Sequence, residues 1–206
     1  MSECNRVNPF GEIVSIDQRG LFIGNRGCIH RDRTIVRPWK VQRWIVCDLE
    51  HKGWVAPKWQ PNRWTALFFW DEAVALAAGH RPCSLCRHEA FVRWMDAWQL
   101  TTGERPQVAP LDQLMHDDRI DHDNQQLRHQ AAWNDVPDGA FALFDDQPML
   151  VLEDRLIPWQ PLAQGYGAAR VRPTSGQAVL ITPRSTVSVL RSGYRPVIHP
   201  SASVVL

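Results

Sequence analysis

The sequence lacks the long apolar runs of membrane proteins and the short motifs of several enzyme classes. No stretch approaches the roughly 20 apolar residues that a membrane-spanning helix needs. The first ten residues carry polar and charged groups, so we expect no signal peptide and a cytoplasmic protein. Gly-x-Gly-x-x-Gly, Gly-x-x-x-x-Gly-Lys, Gly-x-Ser-x-Gly and His-Glu-x-x-His are all absent, which disfavours nucleotide-dependent enzymes and standard hydrolase triads.

The chain also has little net charge, but the value of +1 hides a strong segregation. Residues 1–64 carry eleven Lys or Arg against six Asp or Glu, and residues 99–160 carry four against twelve. Residues 161–206 carry five arginines and no acid. The two basic segments could form a surface that attracts phosphates while the acidic segment faces elsewhere. The alternative is that the segments neutralise one another within the fold.

Tryptophan, by contrast, is abundant. Seven of the ten tryptophans lie between residues 39 and 94, which indicates a dense aromatic core or, alternatively, a base-stacking or ligand-binding surface. The length of 206 residues suits one large domain or two small ones. No low-complexity linker divides the chain, and the nearest thing to a boundary is the segment 101–110. We predict domains over 1–100 and 101–206, which could pack as one unit.

Local patterns predict an α+β fold. Strands are expected at 12–16, 21–23, 41–49, 64–69, 141–144, 149–152, 156–159 and 178–181, with a turn at 18–20. Helices are predicted from capping signals and apolar spacing at 71–78, 87–99, 111–118, 125–133 and 182–191. A small N-terminal sheet with helices would thus precede a C-terminal β-meander and a terminal helix.

A Cys-x-x-Cys motif, Cys83 and Cys86, follows Arg-Pro and precedes a predicted helix. Two thiolates at this spacing can hold one metal ion while backbone N–H groups of the turn stabilise their charge. In a reducing compartment such paired cysteines indicate metal ligands before disulfides. A redox pair of the thioredoxin type is the alternative, but the strand–loop–helix pattern of that fold is missing. We therefore predict one Zn²⁺ here, stabilising the N-terminal sheet.

Structural zinc takes four ligands, so two more are expected elsewhere in the chain. Cys47 ranks first among the candidates, Cys28 second and His30 third. His51 and His80 compete with them. Cys28 has the alternative role of a small buried apolar residue.

The run from residue 68 to residue 87 reads Phe-Phe-Trp-Asp-Glu-Ala-Val-Ala-Leu-Ala-Ala-Gly-His-Arg-Pro-Cys-Ser-Leu-Cys-Arg. It resembles the second half of the zinc-binding domain of Ada-type DNA alkylation-repair proteins. There an aromatic strand and a glutamate-alanine helix precede Ala-Gly-aromatic-Arg-Pro-Cys-x-x-Cys. The resemblance implies that Cys83 and Cys86 are zinc ligands. The remainder of the chain resembles an uncharacterised bacterial family.

Two features of the Ada-type family are missing. Its upstream ligand pair is a Cys-x-x-x-Cys, which this sequence lacks, so the first half of the site has to be built differently. In the repair proteins one thiolate of that pair accepts a methyl group from a DNA phosphotriester, a role that no residue here inherits. The Pro-Cys-His-Arg motif of a second methyl acceptor is also absent. The resemblance implies a zinc site directly and a link to DNA repair only indirectly.

The first functional hypothesis is a zinc-stabilised protein that binds DNA or RNA. Basic side chains on the small sheet would contact backbone phosphates. The candidates are Arg26, Arg31, Arg33, Arg37, Lys40 and Arg43.

Two other hypotheses stay open. A metal-dependent hydrolase or nuclease would use a second cluster of metal-binding side chains, whose alternative role is a solvated acidic loop. The candidate catalytic residues are His116, Asp118, Asp121 and His122. The third hypothesis is a protein-interaction module that uses the acidic stretch and the tryptophans.

Overall fold

The computed structural model describes residues 3–17, 20–161 and 165–203. The strands are Cys4–Val7 (β1), Ile13–Ser15 (β2), Phe22–Asn25 (β3), His30–Arg31 (β4), Thr34–Ile35 (β5), Ile45–Asp48 (β6), Glu50–His51 (β7), Trp54–Val55 (β8), Leu67–Phe69 (β9), Arg81–Pro82 (β10), His129–Ala132 (β11), Phe141–Phe144 (β12), Gln147–Leu152 (β13), Arg155–Gln160 (β14), Gly165–Tyr166 (β15), Arg170–Val171 (β16) and Gln177–Leu180 (β17). The α-helices are Glu72–Ala77 (α1), His88–Thr102 (α2), Val108–Arg119 (α3) and Arg184–Arg191 (α4). Short 3-10 helices span Trp133–Asp135 and Pro200–Ala202. This mixture confirms the predicted α+β class.

Six short strands from the first half of the chain form a mixed sheet in the order β10-β6-β3-β9-β1-β2. β3 pairs antiparallel with β6 and β9, whereas β10 joins β6 in parallel and β1 joins β9 in parallel. The hairpins β4–β5 and β7–β8 are separate two-stranded sheets. At the β10 edge, Pro82 is opposite Val46, so the chain that follows β10 lies beside Cys47.

The second sheet has seven antiparallel strands in the order β11-β17-β12-β13-β14-β15, with β16 also paired to β14. The predicted meander corresponds to β12, β13 and β14. Asp145 and Asp146 join the first two of these strands with φ of 51° and 57°. Two successive positive φ values are the geometry of a tight hairpin turn that matches the twist of its strands. The predicted meander is confirmed.

The two helices that flank the cysteine motif form where local signals predict, although α2 continues to Thr102, three residues beyond its predicted end. The side chain of Asp71 caps α1 by accepting a hydrogen bond from the Val74 amide at 2.9 Å. Gly79 follows α1 with φ of +81°. α2 buries Trp94 and Trp98 on one face, as the spacing of its apolar residues predicts.

Two predicted helices differ from the structure. The segment 125–133, predicted as a helix, contains β11 instead, because His129–Ala132 forms a ladder with β17 that satisfies its backbone groups. The predicted cap at Thr182 is also wrong. Its hydroxyl accepts from the Phe141 amide at 2.8 Å, and α4 begins at Arg184 after Pro183. Residues 18 and 19 of the predicted turn lie outside the described residues.

Two buried apolar clusters connect the halves of the chain. One contains Trp94 of α2, Leu111 of α3 and Leu156 of β14. The other contains Phe69 of β9 and Phe141 of β12. Both clusters thus draw side chains from 1–100 and from 101–206, while the division into two domains stays a prediction. None of the helices in the described ranges is long and apolar enough to cross a lipid bilayer.

Candidate functional site

Three cysteine side chains meet at the β6–β10 edge of the first sheet. Cys47 lies in β6, and Cys83 and Cys86 lie between β10 and α2. Their Sγ atoms all lie within 4.8 Å of one another. Among the described residues, this is the only group of three or more potential His, Cys, Asp or Glu ligands that is so close. Cys83 is buried, and Cys47 and Cys86 are half-buried.

Strand pairing brings the Cys-x-x-Cys segment to Cys47. β10 runs parallel to β6, and the amide of Cys83 donates to the carbonyl of Val46 at 2.9 Å. Arg81 anchors β10 to α3, because its guanidinium donates two hydrogen bonds of 2.7 and 2.9 Å to Asp112. This register places the Cys83 thiol next to the Cys47 thiol.

The turn at Gly79 makes this return possible. Gly79 adopts φ of +81°, which glycine tolerates and side-chain-bearing residues disfavour. A Cβ atom at this position would lie 2.4 Å from Cδ of Arg119, so there is also no room for one. The Ala-Gly-His-Arg-Pro segment therefore has a local structural role, because it turns the chain from α1 into β10.

Hydrogen bonds within the cluster divide the protons unequally among the three sulfurs. Contacts with Cys47 and Cys86 lower the pKa of Cys83, while the contact with Cys83 raises the pKa of Cys47. The pKa of Cys86 is raised as well: its contact with Cys47 favours the thiolate, but its contact with Cys83 and burial disfavour it. The Leu85 amide lies 3.4 Å from Cys83 Sγ and supports the negative charge there. The cluster therefore stabilises one thiolate, and a cation would displace the protons of the other two thiols.

The donor set fits a thiophilic metal ion. In tetrahedral zinc sites Zn–S bonds of about 2.3 Å place sulfurs about 3.8 Å apart, which agrees with three Sγ atoms within 4.8 Å. Cys47, Cys83 and Cys86 could thus hold a metal ion, with one tetrahedral position left for another ligand. Asp48 and His51 follow Cys47 in the chain, and the Asp48 amide donates to the Cys86 sulfur.

The structure does not bring the other predicted ligands into this cluster. Cys28 is half-buried and lies outside it. Nδ1 of His30 is 2.6 Å from the hydroxyl of Thr65, and its ring packs edge-on against Trp59 with centroids 5.5 Å apart. The buried His80 is engaged elsewhere as well, because its Nε2 accepts a hydrogen bond from Arg26 Nε at 3.3 Å.

Two of the predicted catalytic residues, His116 and Asp118, lie on α3 with local structural partners. Nδ1 of His116 is 2.9 Å from Nη2 of Arg119. Asp118 accepts from the Ser185 amide at 2.6 Å and so ties the first turn of α4 to α3. Each side chain therefore has a packing role.

Asp121 and His122, the other two candidates, lie in the turn after α3. Asp121 Oδ1 accepts from the amides of Asp123 and Gln125 at 2.9 and 2.8 Å, which shapes the turn. His122 is exposed beside Asp123, with 3.1 Å between Nε2 and Oδ2. No metal-ligand group forms in this described segment. The proposed hydrolase centre is thus not assembled.

The six predicted phosphate contacts divide into two groups. Arg26 is buried and only 3 % exposed, whereas the other five are exposed. The exposed residues are Arg31, Arg33, Arg37, Lys40 and Arg43. Arg33 is engaged with Glu3, with 2.6 Å between Nη2 and Oε1. Arg26 and Arg37 line one cleft together with Arg119 and Arg128, which sequence patterns did not connect to them.

No model of a known protein family, no curated protein and no solved structure matches the chain. The Ada-type resemblance therefore depends on residues 68–87 alone. Within that run, the capped α1 and the turn at Gly79 are the features that bring Cys83 and Cys86 to the cysteine cluster.

Proposed function

We propose that the chain is a zinc-binding protein in which Cys47, Cys83 and Cys86 hold one Zn²⁺. The observation that supports this is the convergence of three Sγ atoms within 4.8 Å. Thiolate ligands select zinc, cuprous copper or iron–sulfur clusters over hard cations. The bound ion would fix β6 and β10 to the beginning of α2, and so would have a structural role in the first sheet.

The fourth zinc ligand in this proposal comes from the segment after Cys47 or from solvent. Asp48 and His51 both lie close enough to interact electrostatically with one another, and Asp48 also interacts with Cys83. An Ada-like zinc domain, which the resemblance over 68–87 favours, would fill all four positions with protein ligands. A zinc site with one solvent ligand would instead retain a position for chemistry.

Metal content of cysteine variants tests the ligand assignment. The chain purified with zinc should contain one Zn²⁺, measured by mass spectrometry of the metal, and Cys47→Ser, Cys83→Ser and Cys86→Ser should each lose it. Substitution with Co²⁺ should give intense visible bands of a tetrahedral thiolate site. The matched control is Cys28→Ser, which should retain the metal. Metal loss in that variant equal to the loss in Cys83→Ser would contradict the three-cysteine assignment.

We also propose that the exposed segment 31–43 binds DNA or RNA through backbone phosphates. It carries Arg31, Arg33, Arg37, Lys40 and Arg43, all exposed, against the single acid Asp32. Contacts of this kind give affinity without sequence preference and weaken with salt. A role in DNA repair would follow only if such binding is found, because no methyl-accepting residue is assigned here.

Fluorescence anisotropy of labelled single- and double-stranded DNA and RNA tests this second proposal. Binding should weaken steeply between ~50 mM and ~200 mM salt. Replacing Arg31, Arg37 and Lys40 together by alanine should weaken it further and reduce the salt dependence. Arg155→Ala, on the second sheet, is the matched control and should bind normally. Absence of binding at micromolar protein and low salt would exclude the nucleic-acid role and leave a protein partner as the remaining hypothesis.

A further inference from the structure

A cleft of about 760 Å³ lies away from the cysteine cluster and is lined by arginines. Arg26, Arg37, Arg119 and Arg128 all contribute to its wall, and among the described residues Glu12 is the one carboxylate that does. The volume falls within the range of small-molecule sites. Glu12 is exposed and its Oε2 accepts from Asn8 at 2.8 Å. The cleft is therefore strongly cationic.

Arg26 is a buried cation without a carboxylate partner in the described structure. Its Nε donates to the neutral ring of His80 at 3.3 Å, and its guanidinium carbon lies 3.9 Å from the centre of the Trp44 ring. Its Nη2 is buried and has no hydrogen-bond partner in the part of the chain that is described. Burial lowers the pKa of Arg26 to about 9, so the group is still charged at neutral pH.

Arg119 brings a second buried guanidinium to the same wall. It is 2 % exposed, donates to the carbonyls of Gly79 and Gln42, and lies 4.1 Å from the Trp44 ring centre. Burial and the nearby charge of Arg26 both lower the pKa of Arg119. The acid that attracts it most, Asp112, is already bound to Arg81. Two like charges are thus held together in a desolvated place, which is costly unless an anion accompanies them.

The two guanidiniums indicate the charge that a bound anion would need. A carboxylate would neutralise one of the two buried guanidiniums, whereas a phosphate monoester carries about −1.5 to −2 at pH 7 and three acceptor oxygens. Guanidinium groups bind phosphate oxygens with well-matched geometry. The rest of the cleft is partly aromatic, since Phe10, Trp39 and Trp44 line it too. A flat ring attached to the phosphate would find apolar surface there.

We propose that this cleft binds a small organic phosphate with a planar ring, of the nucleoside monophosphate class, through Arg26 and Arg119. Arg37 and Arg128 lie exposed on its wall and supply further positive charge. The site shares no residue with the cysteine cluster, so it does not depend on the metal assignment. It shares Arg37 with the proposed nucleic-acid surface but differs from that surface because its two principal cations, Arg26 and Arg119, are buried.

Titration calorimetry and thermal unfolding of the zinc-loaded full chain test the proposal with inorganic phosphate, adenosine monophosphate and adenosine at matched ionic strength. The monophosphate should bind and raise the melting temperature, phosphate should do so more weakly, and adenosine should have no effect. Arg26→Met should fold, because it removes a buried unpaired charge, and should bind the monophosphate roughly 10- to 100-fold more weakly. Far-ultraviolet circular dichroism and zinc content establish that the variant is folded.

Two further variants separate a built site from general attraction. Arg37→Ala, at the cleft wall, should weaken binding, whereas Arg105→Ala, which pairs with Asp96 on α2, should not. Equal stabilisation by phosphate and chloride, or unchanged affinity in Arg26→Met, would overturn the proposal. Binding of a 5′-phosphorylated single strand without binding of the monophosphate would also overturn it and assign the cleft to the nucleic-acid surface.

Discussion

The two sheets of this protein are stabilised by different kinds of contact. The seven-stranded sheet has longer central strands, with six residues each in β13 and β14, and buries Leu150, Val151, Leu156 and Ile157 completely. The strands of the six-stranded sheet have two to four residues. Its half of the chain contains nine of the fourteen buried polar or charged residues in the described ranges: Asn5, Arg26, His30, Thr65, Asp71, Glu72, His80, Arg81 and Arg87.

Because of this contrast, substitutions should destabilise the two halves in different ways. Removing an apolar group costs an amount graded by the lost area and the cavity that remains. Removing one partner of a buried polar pair leaves the other without a hydrogen bond, which costs more than the net contribution of the bond itself. Short strands add few backbone hydrogen bonds to compensate. The first sheet therefore depends on a few specific partners. Two of these polar residues also position the candidate sites: Arg81 anchors β10 beside the cysteines, and Arg26 lines the cleft.

Metal removal should give the largest difference between the sheets. Chelation, or Cys83→Ser, should lower the free energy of unfolding by several kcal/mol, since structural zinc sites in small peptides contribute roughly 10–16 kcal/mol of apparent binding energy. Hydrogen exchange measured by mass spectrometry should accelerate in β6 and β10 while β13 and β14 stay protected. Equal loss of protection in both sheets would show that they unfold as one unit and do not differ in their dependence on the metal.

The buried network around Glu72 should come next in size. Its carboxylate binds Arg87 at 2.7 and 2.9 Å, accepts from the Tyr194 hydroxyl at 2.6 Å, and accepts from the Val197 amide at 2.9 Å. Glu72→Ala leaves the buried Arg87 with only the longer contact to Asp48, at 3.5 Å, and should cost about 3–5 kcal/mol in urea unfolding. Tyr194→Phe, which removes one donor only, should cost roughly 1–3 kcal/mol. A smaller loss in Glu72→Ala than in Tyr194→Phe would contradict the assignment of Glu72 as the centre of the network.

A conservative apolar substitution in the second sheet is the counterpart of the polar substitutions at Glu72 and Tyr194. Ile157→Val removes one methylene group from a fully buried position of β14 and should cost about 0.5–1.5 kcal/mol. The variant should retain its full zinc content and the wild-type exchange pattern in β6. Chemical denaturation measures the first quantity and mass spectrometry the other two. Loss of metal in this variant would show that the apolar cluster shared by Ile157 and Val46 couples the second sheet to the cysteine site.

Features that depend on neighbours in the chain were predictable from the sequence, because capping residues, glycine turns and the spacing of ligands are local. The cap of Asp71, the turn at Gly79 and the proximity of Cys83 and Cys86 are of this kind. Local patterns could not establish that Cys47 joins these two cysteines, because its contact with them depends on the parallel pairing of β10 with β6.

Contacts between distant segments were not predictable. Arg26 and Arg119 are 93 positions apart, and no periodicity relates them, so the sequence indicated an exposed phosphate contact for the first and no role for the second. The misassigned helix at 125–133 has the same origin. Its residues form a strand because Gln177–Leu180 offers a partner edge, and local propensity yields to that pairing.

The protonation of His80 should give the smallest effect and the sharpest test of how the first half is charged. Burial, Arg26 and Arg119 together lower the pKa of this ring well below 6.5. The folded protein thus keeps His80 neutral where the unfolded chain binds a proton, so stability is lost as pH falls below the unfolded pKa. Between pH 7 and pH 6 the loss of stability from this group should be about 0.7 kcal/mol.

Arg26→Met should raise the pKa of His80. Nuclear magnetic resonance of the ring nitrogens measures this pKa in the wild type and in the variant. A wild-type His80 that titrates near 6.5 would contradict both the burial of its ring and the effect of the neighbouring charges, and the first half would then have no pH dependence from this group.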